Sequence, residues 1–349
     1  MEQSNSLLGC EPIPSVAMLD QIIDLKFGAP VDGWLEETLL TPVSDILGRP
    51  SKRFRAKLVQ LGCLLTSQYS DLTDAEHELC LRFGDLVESL HAGSLVVDDI
   101  EDQSQMRRGQ PALHLKYGLP VALNAGNWLY FWPLMLVATM RLAPEKELWV
   151  QRLCHRMMVK LHCGQALDSG VTIDTLPQDK APGVCMASME LKTGAMTALA
   201  FELGSAAAES PGNQGWPLPA LDEFGHGFGI ALQMFDDIGN LQGRKEPEKR
   251  YEDLIARRPC WVLAYAAQNF PRRIYQSFIE AVHLLPDDGP LQNWIAEQDF
   301  LGKALRDALK YLERVHQRFE RSLRSWRHNK AGALEQLRLL GQQVSNSYH

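Results

Sequence analysis

Nowhere in the 349 residues do β-branched and polar side chains alternate for long enough to make a strand, so a sheet-based fold is not expected. The seven cysteines (Cys10, Cys63, Cys80, Cys154, Cys163, Cys185 and Cys260) include no CxxC pair. Their odd number and scattered spacing argue against a disulfide framework or a zinc site and suit reduced thiols in a cytoplasmic protein. His162-Cys163 comes nearest to a metal pair, but adjacent residues on a helix point different ways. Positive charge is in the minority. Lys and Arg total 35 against 43 Asp and Glu, a net charge of −8, and this argues against a nucleic-acid partner. Residues 1–19 carry no basic stretch and no long apolar run, so a signal peptide is not expected. The greasiest run, Trp128 to Met140, contains Pro133 and is too short for a bilayer. It predicts a buried core helix and no transmembrane segment.

What the chain does have is helical periodicity. Hydrophobic residues make up 45% of it, enough for a large core. Apolar spacing predicts helices over 54–66, 75–102, 146–168, 185–207, 221–242, 260–268, 273–285 and 301–324. Gly and Pro cluster between them, in "FGAPVDG", "GRPS", "RRGQP", "ESPGNQGWPLP" and "LLPDDGP". The gaps are short and no shift in composition marks a boundary. The expectation is one all-α domain, residues 1–340, a bundle of ten or more helices, followed by a frayed polar tail at 341–349.

Two of these helices end in acids. "VVDDIED" packs Asp98, Asp99, Glu101 and Asp102 into five positions at the end of an apolar segment. On a helix Asp98 and Asp102 are i, i+4 neighbours, Asp99 sits beside them, and His91 lies two turns up the same face. Acids at a helix C-terminus oppose the macrodipole and repel one another unless cations are present. Carboxylate oxygens with little nitrogen or sulfur nearby suit magnesium, which commonly bridges protein carboxylates to substrate phosphates. Arg107 and Arg108 follow at once, and guanidinium forks grip phosphate. "LQMFDDIGN" repeats the pattern with Gln233, Asp236, Asp237 and Asn240. Near the start, "SKRFRA" sets Lys52, Arg53 and Arg55 at the opening of a helix, where free N–H groups and basic side chains together favour anions. Lys192 and Thr193 lie within an apolar helix, and Gln165 and Asp168 lie on another, as polar residues that need partners or a ligand.

Taken in order, "PSKRFRA", "DDIEDQSQMRRG", "GQALD", "KTG" and "LQMFDDIGN" resemble the motif series of the trans-isoprenyl diphosphate synthases, from about residue 48 to about residue 265. "DDIEDQSQMRRGQPALHLKYGLP" and "DDIGNL" look most like the geranylgeranyl diphosphate synthases among them. The resemblance implies an all-α fold around a central cavity, usually a homodimer, with three magnesium ions. It implies head-to-tail condensation of isopentenyl diphosphate with an allylic diphosphate. By matched position, Asp98, Asp102 and Asp236 would hold magnesium, with Asp99 in support. Lys52, Arg55, His91 and Arg108 would hold isopentenyl diphosphate, and Arg107 the allylic diphosphate. Lys192, Thr193 and Gln233 would line the allylic diphosphate and its developing charge. Lys249 and Arg258 are the best matches to two further basic residues that close on it. The departures from the pattern are Pro50-Ser51 for a glycine pair, Ala56 for proline, and altered spacing after Asn240.

The growing tail is expected to run back along the first acidic helix, past Ser94 and Gly93, about 6–7.5 Å from Asp98 along the axis. Their small side chains leave the path open. The floor is expected from Leu90 and Val87, or from Trp128, Tyr130, Phe131 and Trp132 on a facing helix. The geranylgeranyl product is therefore expected, with farnesyl the alternative if those aromatics lean in. A terpene cyclase would need one diphosphate site and a different second metal motif. A squalene-type synthase would show two DxxxD motifs. A non-catalytic partner subunit remains a third alternative.

Overall fold

The computed structural model describes residues 14–24, 28–209, 219–243, 250–323 and 330–346. Lys249 and most of the Glu209–Pro219 break fall outside them. Among the described residues the chain is helical apart from one two-stranded hairpin. It opens with α1 (Val16–Ile23), α2 (Ala29–Leu35) and α3 (Thr41–Gly48), the last two joined by a π-helical turn, Glu36–Leu40. The central helices are α4 (Phe54–Thr66) and α5 (Asp74–Glu101). The hairpin β1 (Met106–Arg107) and β2 (Gln110–Pro111) then leads to α6 (Leu113–Tyr117), α7 (Leu119–Val137) and α8 (Pro144–Gly170). α9 (Ala181–Met189) passes through a π-helical turn, Glu190–Gly194, into α10 (Ala195–Ala207). α11 (Pro219–Gln242), α12 (Glu252–Ile255), α13 (Trp261–Asn269), α14 (Arg272–His283), α15 (Gly289–Glu297), α16 (Phe300–Leu323) and α17 (Ala331–Asn346) complete the order.

All eight helices expected from periodicity are present within a few residues of their predicted ends. α5 starts where a capping box, Thr73 with Glu76, satisfies its first N–H groups. At about 1.5 Å per residue it is long enough to cross the molecule, which carries its acidic end to the opposite face. α3 stops at Arg49, which precedes Pro50 and is extended, as a residue before proline prefers. "FGAPVDG" was expected to be a break, yet α2 begins inside it. Pro30 falls in the first turn, where a missing N–H costs nothing. The polar tail expected from Gly341 instead continues α17 to Asn346. Gly341 and Ser345 are buried, and Gly341 packs against the His316 ring on α16.

α5 packs on α4, α7 and α10; α10 packs on α4 and α11; α16 covers the outer side of α11. α10 is buried along its whole length. It crosses α4 closely enough that a Cβ on Gly204 would lie 2.0 Å from the Val59 carbonyl oxygen. A larger core cluster centres on α4, α10, α11 and α13, and a smaller one lies between α3, α7 and the later part of α5. The apolar run read as Trp128–Met140 belongs to a longer stretch, Leu119–Met140. By length and composition alone that stretch is able to cross a membrane. Its inner face is core, with Ala122, Ala125, Leu129 and Trp132 buried, and this packing accounts for its composition.

Candidate active site

The C-terminal turns of α5 and α11 open onto one cavity of about 580 Å³. Asp98, Glu101 and Asp102 line it from α5, and Asp236 and Asn240 from α11. Lys52 and Arg55 come from the start of α4, His91 and Ser94 from α5, and Arg107 from the hairpin. Lys192, Thr193 and Gln233 line it too. The two acidic motifs, 138 positions apart by their first Asp (236 − 98), therefore share a single hollow. Leu90, Leu95, Val97, Leu161 and Met196 give the cavity an apolar part.

Local structure aims these groups. The π-helical turn Glu190–Gly194 inserts an extra residue per turn, so that Lys192 and Thr193 both reach the cavity. Gly164 on α8 makes room for it, since a Cβ there would lie 2.8 Å from the backbone at Leu191 and Lys192. Arg107 and Arg108 are not in an open loop. Arg107 pairs with Gln110 across the hairpin, and Arg108 and Gly109 form its two-residue turn with φ of 51° and 77°. Positive φ at both central positions is the type I′ geometry that matches strand twist.

Most of the charges already have partners. Asp99 is 2% exposed and takes a fork from Arg107: Nε donates to Oδ1 at 2.9 Å and to Oδ2 at 3.0 Å. Asp99 thus steadies Arg107 and does not face the cavity. Arg258 donates to both oxygens of Asp102 and stands 3.6 Å from Asp168. Lys192 Nζ donates to Asp168 at 2.6 Å. Burial works against the Lys192 charge, but Asp168 and Asp98 together raise its pKa. Thr193 donates to the Gln233 carbonyl oxygen at 2.6 Å, and Gln233 Nε2 donates to Asp237 at 2.7 Å. Asp237 in turn accepts the Trp261 N–H at 2.5 Å. That chain locks the orientation of the Gln233 amide.

Asp98 differs. Burial raises its pKa, with Asp168 and Glu101 adding to the rise and Lys192 opposing it. Asp253, at the start of α12, also lines the cavity. Burial, and then Asp168, Asp236 and Glu252, push it up to about 7. Sequence reading missed Asp253 and Glu252, and gave Glu101 no role beyond its place in the acidic cluster. "YEDLIA" looks like an ordinary acidic helix start, and only the fold brings it to the cavity.

Another part of the lining is cationic. His91 is held well below its ordinary pKa, by burial first and then by Arg55, Arg108 and Arg107, so its ring is a neutral N–H donor near pH 7. Burial also lowers Arg55, to about 10, with Arg108 adding to the effect. Arg55 Nε is buried and finds no acceptor among the described residues, as expected where an anion is to bind. Two of the helix-end N–H groups expected to help are taken, because Glu88 Oε1 accepts from the N–H of Arg55 at 3.0 Å and of Ala56 at 3.2 Å. Arg108 does not line the cavity and turns toward the Ile46 carbonyl.

Gly93, expected along the tail path, does not face it. A Cβ on it would lie 2.8 Å from the Gly126 carbonyl oxygen and 2.9 Å from the Leu129 Cβ, where α5 and α7 touch. Ser94 does face the cavity. Of the four aromatics considered for the floor, Tyr130 lines the cavity, Trp128 and Trp132 stack on each other, and Phe131 points outward at 68% exposure. Val87 is core.

The oxygen-rich donor set fits magnesium. Among the described residues, however, no three acidic, His or Cys groups stand close enough to hold an ion unaided. An ion there would need further oxygens from a ligand, as a diphosphate supplies.

Comparison with known proteins agrees with this geometry. The polyprenyl synthetase family model matches residues 36–283. A geranylgeranyl pyrophosphate synthase of Eremothecium gossypii is 31% identical over 219 residues, 62% of this chain and 64% of that protein. Its counterpart from Mucor circinelloides f. lusitanicus is 26% identical over 310 residues, 88% of this chain and 89% of that protein. The fold matches the crystal structure of geranylgeranyl pyrophosphate synthetase from Pyrococcus horikoshii Ot3 with a TM-score of 0.69, covering 93% of this chain and 94% of that one at 21% identity.

Gly93→Phe, placed where two helix backbones meet, is expected to lower folding stability by about 3 kcal/mol or more in a denaturant titration. A Gly93→Phe protein as stable as the parent would mean that α5 and α7 are not in contact there.

Proposed function

Because the chain belongs to the polyprenyl synthetase family, we propose that it condenses isopentenyl diphosphate head to tail with an allylic diphosphate, yielding geranylgeranyl diphosphate. One observation carries the reading. Two sets of groups suited to diphosphate line a single cavity that also has an apolar part. The acids with Arg107 and Lys192 form one set, and Lys52, Arg55 and His91 form the other. A cyclase, which handles one diphosphate, has no use for the second set.

In this reading Asp98, Asp102 and Asp236 hold magnesium, which when bound would neutralise the allylic diphosphate and ease its departure. Arg107 and Lys192 grip the same diphosphate from the protein side, where charge develops as the C–O bond breaks. Arg258 closes on it from the Asp102 side. The Thr193 and Gln233 dipoles, fixed by Asp237, face the allylic cation. Lys52, Arg55 and the neutral His91 hold isopentenyl diphosphate so that its double bond reaches that cation. The apolar wall keeps water from quenching it. The proton lost at the end passes to the departing diphosphate, and no protein nucleophile takes part.

Purified protein given isopentenyl diphosphate, farnesyl diphosphate and magnesium is expected to form geranylgeranyl diphosphate. Asp98→Asn is expected to lower kcat by about 100-fold or more. No product with any allylic primer, or an Asp98→Asn enzyme as active as the parent, would refute the reading.

The tail runs past Ser94 toward Leu161, with Tyr130 at its side. Ser94→Phe fills that path, so its main product is expected to be farnesyl or shorter by chromatography. An unchanged product distribution would mean that the tail runs elsewhere.

A homodimer fits the outer face of the bundle. Leu119, Leu123, Phe131 and Met135 fall at multiples of four on the exposed side of α7, and Leu148 and Val159 are exposed on α8. An apolar stripe of this kind calls for cover. Sedimentation of the parent is expected to give a dimer, and Phe131→Asp a monomer; a monomeric parent would contradict this. The cysteines, free and mostly buried among the described residues, support a reducing, cytoplasmic compartment.

A further inference from the structure

The end of α3 lies against the hairpin that presents Arg107. Arg49, its capping residue, is 3% exposed. Its Nε donates to Asp45 Oδ1 at 2.7 Å, and its Nη1 donates to the backbone carbonyl of Arg107 at 3.0 Å. Nη2 is buried and has no partner among the described residues. Asp45 is itself fixed from α6, accepting Lys116 Nζ at 2.5 Å and the Tyr117 hydroxyl at 2.8 Å on Oδ2. Burial works against ionising Asp45, yet the bonds from Arg49, Lys116 and Tyr117 bring its pKa down to about 2. α3 supplies a second hold through the Ile46 carbonyl, which accepts Arg108 Nη1 at 3.5 Å. None of these α3 residues lines the cavity.

A buried arginine with one fork arm on a carboxylate and another on the backbone of an active-site arginine is costly to keep. Burying such a charge is tolerated only when it is well paired. The hairpin it touches is also under strain, since Arg108 sits in the left-handed region that L side chains avoid. Something has to hold that turn, and the fork of Arg49 is aimed at it. We propose that Arg49, braced by Asp45, is a positioning residue that sets the height of the Arg107–Arg108 hairpin and so the grip of Arg107 on diphosphate. This rests on the prenyltransferase reading for its ligand, but its atoms lie outside the cavity. Lysine at the same place keeps the charge and pairs with Asp45, but one ammonium lacks the rigid fork that reaches both acceptors.

The test compares parent, Arg49→Lys and Asp45→Asn as full chains. Magnesium with inorganic pyrophosphate is titrated calorimetrically, KM and kcat are measured for the allylic diphosphate, and melting temperature reports folding. Arg49→Lys is expected to fold, to weaken pyrophosphate binding by about tenfold and to lower kcat/KM for the allylic diphosphate by about tenfold. Asp45→Asn moves both in the same direction and serves in its place should Arg49→Lys not fold. Variants with parental affinity and kcat/KM overturn the strut and leave the prenyltransferase reading standing. A loss of kcat/KM with pyrophosphate affinity unchanged overturns it too, because the grip on diphosphate would be intact. A parent that neither binds magnesium pyrophosphate nor forms product sinks the reading and the strut together.

Discussion

The repulsion among carboxylates at the end of α5 is the constraint that the rest of the site answers. Asp98, Asp99, Glu101 and Asp102 crowd the negative end of a 28-residue helix. Leaving one such charge buried without a partner costs about 3–5 kcal/mol. The fold supplies cations from three other places in the chain: Arg107 from the hairpin, Lys192 from the π-helical turn, and Arg258 from the segment after α12. Arg107 takes Asp99, Arg258 takes Asp102, and Lys192 takes Asp168 on α8 while its charge also acts on Asp98; Arg107 and Lys192 line the cavity as well. The site is therefore a partly paired mesh of acids and cations, with acids in excess, ready to exchange some of its internal partners for a metal-bound diphosphate.

Small residues decide how closely the walls approach. Gly204 lets α10 settle on α4, Gly93 and Gly126 let α5 settle on α7, and Gly164 admits the π-helical turn beside α8. These contacts keep the inner wall tight and apolar, which the chemistry needs, because a carbocation survives only where water is excluded. The cavity is thus polar where charge is handled and dry where the chain grows.

Much of this was legible in the residues. Helical periodicity located α4, α5, α8 and α11, because each buries one face against the others. The spacing of Asp98 with Asp102, and of Asp236 with Gln233, placed those groups on shared faces. What could not be read was direction between elements. Gly93 and Ser94 are neighbours in sequence and equally small, yet one meets α7 and the other meets the cavity. Asp99, expected in support of the metal ligands, is instead taken up by Arg107 from the hairpin. Glu88 capped the start of α4 from a position 33 residues away, which no local pattern signals. Asp253 sits in an unremarkable acidic turn and becomes part of the site only through the path of the chain after α11. Pro30 within α2 and the helical course of 341–346 were missed for a plainer reason, since both read as breakers or polar tail until packing is known.

If the mesh of ion pairs is the central feature, the acids should be poor ligands for a bare ion and good ones for an ion that brings an anion with it. Calorimetric titration of the apo protein with magnesium chloride, alone and then with pyrophosphate present, measures this directly. The account predicts binding in the millimolar range or weaker for magnesium alone, and affinity at least about a hundredfold tighter when both are supplied. Tight binding of magnesium by itself, with pyrophosphate adding nothing, would contradict it.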